Sequence, residues 1–207
     1  MSHSCFISFK KEDAKWKDKI VEKLGSKRIT GKSLDKWIDS NDLDYVMQTI
    51  RKDYMVATTV TIFLIGKHSF EDEHLDSQGH NNQSFIIREL QATLFDRKGN
   101  PRDGLLGVVL PEMVSTIFGS TSVCPRCGRQ VQTVNISDET VIREFSANYW
   151  LTKNDCGDYN ESGRYCVLVS YGDFMKNPDL FIDQAYEKTK APISKEVHYK
   201  DLKHRGM

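Results

Sequence analysis

Short continuous apolar runs alternate with amphipathic stretches along most of this chain, and that alternation predicts strands alternating with helices. The run at 5–9 (CFISF) reads as a first strand, followed by a polar turn, Lys10-Lys11-Glu12-Asp13. Asp13 is placed to cap the next helix, in which Trp16, Ile20, Val21 and Leu24 recur at helical spacing and Gly25 marks the end. Residues 33–38 form a weaker second strand, and Asp39-Ser40-Asn41-Asp42 has loop and cap chemistry. A helix at 43–55 carries Val46, Ile50 and Tyr54 on one face. The segment 58–65 (TTVTIFLI) is β-rich and apolar throughout, as a central parallel strand buried on both faces must be.

The pattern then breaks over a long polar stretch, 66–83, and resumes as a helix at 84–95 and a buried strand at 105–110 that Pro111 closes. From about 112 to 163 it degrades, with frequent Gly, Ser, Asn and Asp, and this stretch reads as an insertion within one domain spanning 1–207. A strand at 165–170 and a helix at 180–189, begun by Asn177-Pro178-Asp179, complete the series. The fold class this implies is α/β: a flavodoxin-like, doubly wound parallel sheet of about five strands with helices on both faces. Ligands of such sheets bind outside the carboxyl ends of the strands, which directs attention to 10–13, 39–42 and 66–83.

Composition narrows the function classes. Lys+Arg and Asp+Glu are both 29, so no basic excess points to nucleic acid. No apolar run approaches the roughly 20 residues that span a bilayer, and the N-terminus lacks a basic-then-apolar leader, so a cytoplasmic protein is expected. The five cysteines are an odd number, and with no export signal they argue against a disulfide framework. There is no Walker loop, no G-x-G-x-x-G and no G-x-S-x-G.

Three sets of residues can carry chemistry. Ser8, Phe9 and Lys10 leave the first strand at its carboxyl end; a ring there can stack on a base and a cation can meet a phosphate, although Phe9 is equally suited to the core. Glu89 shares a helix face with Phe85, where a shielded carboxylate can support an oxocarbenium ion or orient a ribose hydroxyl; most helical glutamates are simply solvated. Cys124-Pro125-Arg126-Cys127-Gly128 is half of a zinc knuckle, with Cys156 the expected third ligand and Cys166 an alternative; a structural zinc would staple the insertion. His68, His74 and His80 fall in the polar stretch without the fixed spacing of helix-borne metal ligands.

CFISFKKED (5–13), residues 33–38, TTVTIFLIG (58–66) and SFIIREL (84–90) together resemble successive blocks of bacterial TIR-like domains, including the TIR proteins of Thoeris antiphage defence. The resemblance covers roughly 4–111, with 165–189 able to close the same fold. It departs at Phe85, where the family pattern has Trp, and in the length of 71–83. The resemblance implies an NAD-consuming enzyme that cleaves the nicotinamide–ribose bond and makes a cyclic ADP-ribose isomer as a signal for a separate effector. Glu89 would be catalytic, and Ser8, Phe9, Lys10, Trp37, Ser69 and Phe85 would bind NAD. Self-association is implied as well. The other reading is a non-catalytic TIR-like adaptor; a receiver-like domain is a third, with only Glu12 and Asp13 toward its acidic cluster.

Overall fold

A computed structural model of the chain describes residues 2–36, 38–40, 42–69, 84–138 and 140–199. Four strands form a parallel sheet in the order β1 (Cys5–Ser8), β2 (Val60–Ile65), β3 (Gly104–Val109) and β6 (Val167–Ser170). Two more, β4 (Phe118–Val123) and β5 (Gln130–Val134), pair as a separate antiparallel hairpin. The helices are α1 (Ala14–Leu24), α2 (Leu43–Asp53), α3 (Ser84–Leu94), α4 (Val114–Ile117), α5 (Arg143–Tyr149), α6 (Tyr171–Lys176) and α7 (Pro178–Lys190). Among the described residues no helix is long and apolar enough to cross a membrane.

The apolar runs become strands because both faces of the sheet are covered. Successive side chains of a strand point to opposite faces, and here the two sets enter different cores. Ile7, Val60, Ile62, Leu64, Leu106 and Val108 pack with Ile20 of α1, Phe174 of α6 and Ile182 of α7. Phe63, Ile65, Leu105 and Val109 pack with Leu90 and Leu94 of α3 and Phe145 of α5. A third cluster joins Phe6 of β1 to Val46, Met47 and Ile50 of α2 and Ala92 and Phe95 on the α3 side.

Two helix starts follow the expected cap chemistry. Asp42 Oδ1 accepts the N–H groups of Asp44 and Tyr45, and Asn177 Oδ1 accepts that of Leu180 ahead of Pro178. Asp13 departs from it: its side chain makes no cap hydrogen bond and is buried.

The expected strand at 33–38 is not one. The described part of that segment is irregular, and the Leu34 N–H that a ladder would use is given to a side chain, Glu89. The outer edge of β1 is met instead by Ile29, through one parallel bridge, with Thr30 N–H bonded to Cys5 O at 2.9 Å. With Ile29 counted as the remnant of a second strand, the spatial order is second, first, third, fourth, fifth, the flavodoxin-like order. The parallel sheet therefore has four strands among the described residues.

The stretch 112–163 is not uniform. The β4–β5 hairpin is largely exposed, whereas Val141, Phe145 and Tyr149 are buried against the sheet. Part of the expected insertion thus supplies one layer of the core. At the amino ends of the strands, Arg51 of α2 bonds Asp103 Oδ1 (2.9 Å), Ala92 O, Pro101 O and Asn100 Oδ1, while Thr58 bonds Asp103 Oδ2. This paired buried charge ties α2 and α3 to the start of β3.

Phe145→Ala tests whether α5 is integral. Emptying a fully buried aromatic site costs about 3–5 kcal/mol, so urea unfolding of the variant should show a loss of that size, whereas truncating Val123 on the exposed hairpin should change stability by under about 0.5 kcal/mol.

Candidate functional site

The site is built where β1 ends. Strand alternation turns Ser8 toward α3, and Glu89 lies one helical turn after Phe85 on α3. Ser8 Oγ donates to Glu89 Oε2 at 2.7 Å, and Leu34 N–H donates to Glu89 Oε1 at 2.9 Å. Glu89 is 2% exposed. Burial pushes its carboxyl up to about 7, against the opposing pull of the Ser8 and Leu34 hydrogen bonds. Thr93, four residues on, anchors the same turn: its hydroxyl bonds Glu89 O and Thr61 of β2. One carboxyl group therefore links β1, α3 and the segment that follows Ile29.

The other residues singled out from the sequence are distributed around this point. Phe9 packs with the α1-side cluster, on the opposite face of the sheet from Ser8, with Lys17 Nζ 5.9 Å from its ring centroid. Lys10 precedes the short 3-10 turn Lys11–Asp13 and its carbonyl accepts the Asp13 N–H. Ser69 is buried beyond the end of β2 and donates to Gly66 O at 2.8 Å. Phe85 packs with the α2 cluster and borders a cavity of about 10 Å³ shared with Leu34, Ile38 and Val46, room for no more than a single water. Trp37, His74 and His80 lie outside the described residues, as does the side chain of Ser84. A larger cavity, about 490 Å³, lies elsewhere, between β6 and α7, lined by Arg164, Leu168, Phe181 and Lys188 among others.

Asp13 is a further buried carboxyl at this edge, and its chemistry was hidden by its suitability as a cap. Desolvation, reinforced by Glu112 and Glu12, raises it to about 6, and among the described residues Oδ2 has no hydrogen-bond partner. A Cβ at Gly66 would sit 2.3 Å from that oxygen, so the carboxyl lies directly on the backbone where β2 ends, and only glycine leaves it room. The Leu34 N–H is the contact that sequence patterns could not reveal, because a backbone donor carries no residue signature.

The cysteines form a separate centre. The ligand atoms of Cys124, Cys127 and Cys156 all lie within 4.8 Å of one another, a group able to hold a metal ion. The Arg129 N–H at Cys127, with the neighbouring thiols, holds the Cys127 thiol below its ordinary value, and its bond to Cys127 pushes Cys156 up to about 11. Cys166 is not part of the group: it is buried, with Sγ 3.7 Å from Phe145 O.

Compared with protein-family models and with curated proteins, the chain matches none.

The raised carboxyl of Glu89 has a consequence for stability. Its folded value lies above the ordinary 4.5, so the native state holds a proton the unfolded chain releases, and this contribution weakens as pH rises from about 4.5 through about 7. The difference amounts to on the order of 3 kcal/mol. Urea unfolding at pH 5 and pH 8 should show wild type losing more stability with rising pH than Glu89→Gln, which has no proton to lose there. Parallel pH profiles would contradict the assignment.

Proposed function

We propose that this chain is an NAD-consuming enzyme of the TIR-like type, acting through Glu89 at the carboxyl end of β1. The observation that carries the reading is a buried carboxyl with a value near neutrality, held by Ser8 and Leu34 beside the point where the strand order reverses. In its ionised form Glu89 would face the nicotinamide ribose and stabilise positive charge at C1′. The C1′–N bond breaks with its electron pair going to the nicotinamide nitrogen, so nicotinamide leaves neutral. Water adds to C1′ and loses a proton to give ADP-ribose, or an internal nucleophile of the same molecule adds and gives a cyclic isomer. On the resemblance, the cyclic product serves as the antiphage signal read by a separate effector, and the enzyme acts as a self-associated assembly.

Glu89 is buried, and its two oxygens are engaged by Ser8 and by the Leu34 N–H. Binding of a ribose at this carboxylate therefore requires Ser8 or Leu34 to hand its acceptor oxygen to a substrate hydroxyl. The same two hydrogen bonds favour the second reading, a non-catalytic adaptor in which Glu89 only fastens the segment around Leu34 to β1. For the three thiols we propose a structural zinc, as soft thiolate ligands suit that ion.

Purified protein at high concentration, with NAD, separates the two readings. Wild type should release nicotinamide, with ADP-ribose or an isomer of it as co-product by mass spectrometry. Glu89→Gln, which keeps the size and an acceptor oxygen, should lose at least about 100-fold in rate. Because the ionised carboxylate is the active form, kcat/KM should rise with pH through about 7. NAD left intact by assembled wild-type protein leaves the adaptor.

A further inference from the structure

The three thiols are presented by two tight turns of related build. The first, 124–129, is closed by Cys124 N–H to Arg129 O at 2.8 Å and Gly128 N–H to Cys124 O at 2.9 Å. The second, 154–158, is closed by Asn154 N–H to Asp158 O at 2.8 Å and Gly157 N–H to Asn154 O at 2.9 Å. Each carries a Cys-Gly pair whose glycine has positive φ, +71° at Gly128 and +83° at Gly157, the conformation that lets the chain turn back beneath a ligand.

The opening positions differ. In the first turn that position is Cys124, itself a member of the thiol group. In the second it is Asn154, whose Oδ1 accepts the N–H groups of Cys156 at 2.9 Å and Asp158 at 3.1 Å. An amide oxygen with two such bonds has committed both lone pairs, so Asn154 closes its own turn and donates nothing to a metal. Two complete knuckles would supply four sulfurs; this pair supplies three. Among the described residues no further Cys, His, Asp or Glu joins the group. Its floor is the buried Cys124 and its open side is the exposed Cys127. Cations border it: Arg126 Nη1 donates to Cys156 O at 3.2 Å, and Arg129 acts on Cys127 electrostatically.

Zinc bound by four protein ligands is closed, whereas three leave a position for an exchangeable one. We infer that Cys124, Cys127 and Cys156 form a three-thiolate metal centre whose fourth position is taken by an external anionic donor, a small thiolate being the chemistry that fits. Three thiolates leave a divalent ion with net negative charge, and Arg126 and Arg129 offset it for an incoming anion. The inference rests on the zinc reading above and adds the exchangeable position to it.

The test uses the full chain loaded with Co²⁺ under anaerobic conditions, with 2-mercaptoethanol as the probe ligand. One Co²⁺ per chain is expected, with thiolate-to-cobalt absorption that falls by about a third in Cys156→Ser. The visible d–d bands should shift saturably as the thiol is added, and should do so equally in a variant carrying His74→Ala, His80→Ala and His204→Ala. Stoichiometric Co²⁺ whose bands do not move with thiol, bleach as the metal is stripped, or change with the histidine substitutions would overturn the exchangeable position while leaving a metal centre in place. Failure to bind Co²⁺ stoichiometrically would overturn both.

Discussion

The carboxyl of Glu89 is the constraint around which the carboxyl edge of the sheet is arranged. Burying it is costly, and the cost is moderated by one hydroxyl at the end of β1 and one backbone N–H from the segment that would otherwise be an edge strand. Leu34 N–H is spent there and not on a ladder, and among the described residues Ile29 makes the one bridge to that edge of β1. The shortened sheet and the buried carboxyl are thus one feature seen from two sides: a backbone donor is taken from a ladder and given to a titratable group.

The rest of the molecule holds that arrangement still. The sheet is packed on both faces, and Arg51 with Asp103 locks α2 and α3 to it at the far end of the strands. Such a pair is weak evidence for net stability, since desolvation offsets much of its attraction. Its four further hydrogen bonds, to Asn100, Ala92, Pro101 and Thr58, do tie α2 and α3, the helix that carries Glu89, to the start of β3.

What could be read from the sequence follows from which signals are periodic. The runs that became β2 and β3 were legible because burial on both faces demands continuous apolar residues, and Asp42 and Asn177 because a cap sits one residue before a helix. The segment 33–38 misled because its apolar residues, Leu34 and Ile38, pack toward α2 from an irregular backbone. Within 112–163 the layer supplied by α5 was not legible, because that helix is short and its buried residues are surrounded by polar turns, so no window long enough shows a period. Cys124, Cys127 and Cys156 were recognisable from ligand spacing and residue type; the role of Asn154 was not, since its significance lies in two backbone contacts. Asp13 was misassigned for a similar reason, as a residue type common at caps lies here on the Gly66 backbone.

The most direct measurement is the titration of Glu89 itself, by ¹³C NMR of its side-chain carboxyl in protein labelled at glutamate, with Glu89→Gln identifying the signal. The inflection is expected at about 7, displaced upward by burial. An inflection near the ordinary 4.5 would mean that Glu89 is solvated, and would contradict both its burial and the chemistry drawn from it.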